Sequence, residues 1–133
     1  MKINMSNMNP PAWFYYDDDD TDSGVLLRVC SGNDLEDKTK KCSKKQPPEY
    51  KRGRRFEIPD KIDEKRYSEM LWDFVIVDWK GTVDENDDDI ECNMDNKIKL
   101  MRQSVFFASF IGKSLDKLNA DIAGYQKDLE KNW

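Results

Sequence analysis

The sequence predicts an α+β fold: a small single domain with an N-terminal β-hairpin, a central helix, a second hairpin and C-terminal helices. Three observations carry this. β-forming runs flank acidic, turn-rich runs twice, around Asp17 to Gly24 and around Asp84 to Asp89. Apolar residues recur at helical spacing from Ile62 to Val75, and again in alternating steps of three and four from Met101 to Leu129. At 133 residues the chain suffices for one domain; 38% hydrophobic residues against 37% charged, with a mean hydropathy of -0.91, imply a modest core and polar extensions.

Residues 1–12 read as a flexible N-terminus and 13–133 as the domain. Trp13-Phe-Tyr-Tyr16 and Val25-Leu-Leu-Arg-Val-Cys30 are rich in β-formers, and the Asp, Ser and Gly between them supply turn chemistry, so the pair reads as an antiparallel hairpin with a long acidic loop. Ser31-Gly-Asn-Asp34 offers caps for a polar helix over residues 34 to about 45. Its only apolar anchors are Leu35 and Cys42, and so narrow a stripe gains little from packing. Pro47 and Pro48 end that helix, and the stretch through Pro59 is expected to be extended, giving a mobile basic segment at about 36–59.

Asp60 is placed to cap a helix in which Ile62, Tyr67, Met70, Leu71, Phe74 and Val75 form one wide apolar face, running to about Val77. Asp78, Trp79 and Gly81 then read as a structural joint, with Trp79 packed beneath the second hairpin and Gly81 permitting a sharp change of direction. Thr82 and Val83 before the second acidic run, and Ile90 and Cys92 after it, fit that hairpin. Asn86-Asp87 suits its turn.

The stripe from Met101 passes through Ser104, Ala108, Ile111, Leu115, Leu118, Ile122, Tyr125 and Leu129 as a heptad seam, strongly apolar only from Ile111 onward. Val105, Phe106, Phe107 and Phe110 add apolar surface upstream. The stripe either packs along its whole length on its own domain or belongs to a helix buried at its start and projecting at its end. Ile111, Leu115, Leu118, Ile122, Tyr125 and Leu129 are the candidate contacts for a partner helix or a second copy.

Chemistry is constrained by what is missing. The chain has no histidine, which removes Ser-His-Asp and Cys-His nucleophiles and His-based metal hydrolysis. Cys30, Cys42 and Cys92 form no CxxC pair or zinc spacing and read as reduced thiols. The acidic runs alternate like calcium loops at Asp18, Asp20 and Asp22 and at Asp84, Asn86 and Asp88. Each lacks the Gly and the closing Glu that an EF-hand loop needs. No catalytic, cofactor or metal site is expected, and the protein reads as non-enzymatic. No apolar run reaches the roughly 18 residues of a membrane helix, and Met1-Lys-Ile-Asn-Met-Ser lacks the apolar stretch of a signal peptide. A cytoplasmic protein without membrane association is expected.

Charge reverses in the middle. Residues 36–55 hold nine Lys or Arg against three Asp or Glu, although the whole chain carries -5 and has a pI near 4.8. Lys51, Arg52, Arg54 and Arg55, flanked by Tyr50 and Phe56, are a possible polyanion contact of the kind that binds single-stranded nucleic acid. The acidic overall balance argues against that use and for a partner-facing segment.

Over about residues 67 to 103 the order of residue types resembles a family of small phage tail-assembly proteins. The shared pattern is an apolar run, Asp78-Trp79-x-Gly81, the acidic turn Asp84 to Asp89, Ile90, and the helix cap Asn93 before Met94. The family commonly has a Gly in that turn, which this chain lacks. The resemblance implies a tail assembly chaperone, which keeps a long helical tape-measure protein soluble until tube subunits polymerise around it. Such a role needs solubility, an apolar helix-binding surface and charged arms rather than catalytic groups. The alternatives from other classes are a phage-encoded acidic inhibitor of a host defence or regulatory protein, and a minor virion structural component.

Overall fold

A computed structural model describes residue 5 and residues 9–131, with side chains as far as residue 122. Most of the expected flexible N-terminus, 1–12, therefore lies outside the described residues. The element order is β1 Ala12–Asp17, β2 Asp20–Leu27, α1 Gly32–Lys41, β3 Ser43–Lys44, β4 Glu49–Lys51, β5 Arg54–Phe56, β6 Lys61–Ile62, α2 Glu64–Val75, β7 Ile76–Lys80, α3 Met94–Gln103 and α4 Val105–Lys131. The fold is α+β, with the N-terminal hairpin and the C-terminal helices in place. Contacts gather it into two compact units, one of residues 1–30 with 72–133, the other of residues 31–71.

The first unit is built on a three-stranded antiparallel sheet in the order β1-β2-β7. Aromatic side chains make β1, and β2 runs from the acidic Asp20-Thr-Asp-Ser into Val25-Leu-Leu27. The long acidic loop expected between the strands is corrected, since Asp17 pairs with Asp20 and only Asp18 and Asp19 lie between them, with residues 17–22 exposed. Sequence leaves Phe74-Val-Ile-Val77 open between helix and strand, and the expected helix to Val77 is corrected: α2 ends at Val75 and β7 begins at Ile76 with no intervening loop. β2 is the reason. Its free edge needs backbone partners, and Leu27 pairs Ile76, Leu26 pairs Asp78, and Val25 pairs Trp79.

The pairing jump leaves Val77 as a bulge. Ile76 and Trp79, three residues apart, would otherwise point to opposite faces of the sheet. The extra residue puts both on the core side, where Ile76 is fully buried and Trp79 nearly so. Val25, Leu27, Val75, Phe107 and Ile111 complete that core. Lys97 is buried too, and its Nζ donates to the Asp73 carboxylate at 3.1 Å and to the Asp73 carbonyl at 3.2 Å.

The second hairpin is reduced to a single bridge, Val83 with Asp89, instead of two strands. Side-chain acceptors hold the reversal: Asp84 Oδ1 accepts the N–H groups of Asn86 and Asp88 at 2.8 and 3.1 Å. Asp87 takes a left-handed conformation, φ 59°, which Asp tolerates better than most residues, so the turn closes without glycine. Asn93 then caps α3, its Oδ1 accepting the Asn96 N–H at 2.9 Å.

The heptad seam is not one helix. Ser104 leaves the helical conformation (φ -102°, ψ 105°), ends α3 and caps α4 by accepting the Phe107 N–H through Oγ at 3.2 Å. A hydroxyl at that point offers the backbone an alternative acceptor, so the chain turns where the apolar spacing alone runs straight on.

In the 31–71 unit, α1 opens on a capping box. Ser31 Oγ accepts the Asp34 N–H at 3.2 Å while the Asp34 carboxylate accepts from Ser31. The Asp60 cap is corrected: Lys61–Ile62 pairs with Ser43–Lys44, Asp63 N–H donates to the Cys42 carbonyl at 2.8 Å, and α2 starts after Asp63. Asp63 Oδ1 accepts the Arg66 N–H at 3.2 Å, and this bond, with Lys44 nearby, holds its carboxyl below the usual value. The stretch expected to be extended and mobile is extended, and paired: β4 and β5 form a hairpin through Arg52 (φ 54°) and Gly53 (φ 75°), the two positive φ values of a tight type I′ turn.

Candidate functional site

Trp79 joins three parts of the first unit. Its indole N–H donates to the Ile90 carbonyl at 2.6 Å, and its ring meets Phe107 edge-on at 5.8 Å. It thus ties β7 to the acidic turn and to α4 at once. Gly81 follows at φ 63°, where an added Cβ would lie 2.2 Å from Ser23 Oγ and 2.7 Å from the Asp22 carbonyl. Asp78 is exposed and accepts the N–H of Trp79.

Beside this joint, Tyr16 stacks at a tilt on Phe110, centroids 4.9 Å apart, and shares a 2.7 Å hydrogen bond with Thr82 Oγ1. Burial pushes the Tyr16 hydroxyl pKa up, against the lowering effect of Thr82; burial likewise raises that of the Cys92 thiol. Tyr16, Gly81, Thr82, Val83, Ile90, Leu100, Ser104, Phe106 and Phe107 line a groove of about 270 Å³. Phe106 is 72% exposed, Val105 86% and Val83 43%. That volume suits one or two anchoring side chains better than a small-molecule ligand.

Antiparallel pairing determines what surrounds the groove. β1 ends, β2 begins and β7 ends at the same end of the sheet, so Asp17 to Asp22 and Asp84 to Asp89 both leave from there. Among the described residues, none of the ten carboxylates in these two runs is in an ion pair. Nor is any group of three or more His, Cys, Asp or Glu placed to hold a metal ion.

The candidate stripe on α4 divides. Ile111 is 1% exposed and belongs to the core, which corrects its place among the partner contacts. Among the described side chains of α4, Ser114 is the last that is buried; Leu115 and Leu118 are half-buried and Ile122 is 41% exposed. Tyr125 and Leu129 lie outside the described side chains. Val105 and Phe106, by contrast, project from a different face of α4 into and beside the groove, a surface that the seam pattern does not reveal.

The basic cluster sits on the β4-β5 hairpin, exposed throughout. Lys51 pairs with Glu49 at 3.7 Å and Arg55 with Glu57 at 2.9 Å, whereas Arg52 and Arg54 enter no ion pair with a described residue. A larger hollow of about 730 Å³, lined by Lys44 and residues 60–64, is walled mainly by exposed charged side chains and converges no buried polar group. Among the described residues no helix is long and apolar enough to cross a membrane. Comparison of the chain with protein-family models, curated proteins and solved structures finds no match.

Proposed function

We propose that the protein is a non-enzymatic phage morphogenesis factor, a tail assembly chaperone that holds a helical tape-measure-type partner in the host cytoplasm. The observation that carries this is the exit of α4 from its own core. The helix runs 27 residues from Val105 to Lys131, about 40 Å at 1.5 Å per residue, and among its described side chains, which end at Ile122, none after Ser114 is buried. Beyond it Leu115, Leu118 and Ile122 continue at helical spacing with their outer surface open. A projecting apolar stripe is the shape that receives another helix.

Charge supports the same reading. A holdase for an apolar helix must keep the complex dispersed, and the solvated acidic turns give the first unit a like-charged surface that resists aggregation. Co-expression with a tape-measure fragment, followed by pull-down, tests it. The fragment is expected in the soluble fraction with the intact protein and not with Leu118→Asp/Ile122→Asp; a fragment equally insoluble with both overturns the proposal.

One observation favours a second reading. Ten carboxylates at one end of the sheet could mimic a phosphate backbone and block a basic cleft on a host protein. Such binding would weaken steeply with added salt, whereas helix binding along the α4 stripe would not.

A further inference from the structure

We propose that copies of this chain associate head to tail, the β4-β5 hairpin of one copy seated in the acid-rimmed apolar groove of the next. Both halves of that contact are on one molecule. The groove offers exposed Phe106 and Val83, and its lining residues Tyr16, Val83 and Ile90 adjoin Asp17, Asp84 and Asp89, members of two acidic runs whose carboxylates enter no ion pair among the described residues. The hairpin offers the complement. Cross-strand register places Phe56, 47% exposed, on the same face as Lys51 and Arg54, with Glu49 opposite Phe56 and paired to Lys51 at 3.7 Å, and with Arg52 at the tip.

The chemistry of each side selects the other. One aromatic ring fits a groove of about 270 Å³ and can stack against Phe106. Arg52 and Arg54 then reach the 17–22 and 84–89 turns, where their forked donors suit carboxylates and no internal ion pair has to be broken first. Single-stranded nucleic acid is the competing ligand for an aromatic, arginine-rich hairpin. The protein's net charge of -5 opposes a polyanion, while the same charge, concentrated in the acidic turns, attracts the hairpin of another copy.

Because hairpin and groove are different surfaces, the interface is heterologous. A copy that seats its hairpin in the next keeps its own groove available, and contacts of this kind close into rings or extend as open chains. The contact uses neither Leu115, Leu118 nor Ile122. It stands or falls independently of the helical partner proposed above.

Sedimentation velocity of the full chain, over a concentration series at about 50 mM and about 500 mM salt, reads the association and its screening. The intact protein is expected to grow beyond a monomer with concentration at low salt and to revert at high salt. Arg52→Ser/Arg54→Ser and Phe106→Ser change exposed side chains only, so each is expected to keep the circular dichroism of the parent and to remain monomeric alone. Mixed in equal amounts, these two variants supply one intact groove and one intact hairpin, and are expected to form a 1:1 dimer that grows no further. A protein monomeric at every concentration overturns the proposal. So does association that survives Arg52→Ser/Arg54→Ser, or a mixture that fails to restore the dimer. A shift of the intact protein only on adding an oligothymidylate would assign the hairpin to nucleic acid instead, and would equally overturn it.

Discussion

Replacing Trp79 by alanine tests whether the joint organises the first unit. Trp79 is 6% exposed, its ring packs edge-on against Phe107, and its N–H is a donor to the Ile90 carbonyl. Large aromatic deletions in cores cost about 3–5 kcal/mol. The Ile90 carbonyl is on a half-buried loop where water can replace the indole, so its loss belongs at the low end of the penalty for an unmade bond, about 1 kcal/mol. A total of about 4–6 kcal/mol follows. For a chain of this size each kcal/mol moves Tm by about 3–5 °C, so thermal unfolding followed by far-ultraviolet circular dichroism should shift down by on the order of 20 °C. Trp79→Phe keeps the edge contact and loses only the hydrogen bond and part of the ring, and should cost about 1–2 kcal/mol. A Tm for Trp79→Ala within about 2 °C of the parent, together with lost partner binding, would refute the joint and make Trp79 a surface anchor.

Gly81→Ala should destabilise by about 2 kcal/mol or more in urea unfolding, since φ is 63° and the new Cβ would meet the Asp22 carbonyl at 2.7 Å. Asp73→Ala should cost about 3 kcal/mol because it strands the buried Lys97 ammonium, while Lys97→Met should cost much less; equal losses in the two would show that the pair, not the stranded charge, matters. Cys92 and Tyr16 hold their protons more tightly in the fold than when unfolded, so above the ordinary thiol range, about pH 8.5, the unfolded chain ionises first and stability falls as pH rises toward the raised values. Cys92→Ala should flatten the early part of that decline in Tm. Hydrogen exchange should be faster across residues 31–71 than across the β1-β2-β7 sheet, because Cys42 is the one buried hydrophobic side chain described in that unit.

Local chemistry made much of the fold legible. The β-formers of Trp13 to Tyr16, the Ser31 and Asn93 caps and the acidic turns announce themselves within a few residues, because turns and caps are settled by adjacent backbone and side-chain groups. The β4-β5 hairpin was hidden by its charge. Lys51-Arg-Gly-Arg54 reads as a basic linker unless Gly53 is taken, with Arg52, as a two-residue turn. The α2 start moved from Asp60 to Asp63 because β3 claims Lys61 and Ile62, a pairing across seventeen or more residues that no local window contains.

The candidate surfaces divide in the same way. That the chain lacks histidine, a CxxC pair and a complete calcium loop is fixed by composition and spacing, and with it the exclusion of histidine-based catalysis and of those metal sites. Which apolar residues remain available to a partner is not. Ile111 and Phe106 are both apolar residues near the start of α4, and only tertiary packing decides that Ile111 is core at 1% exposed while Phe106 is 72% exposed. Likewise the two acidic runs, more than sixty residues apart, share one rim because β7 pairs with β2 in an antiparallel register. Periodicity assigns a residue to a face of its own element; what covers that face depends on long-range contacts, which are satisfied only when the whole sheet and its helices assemble.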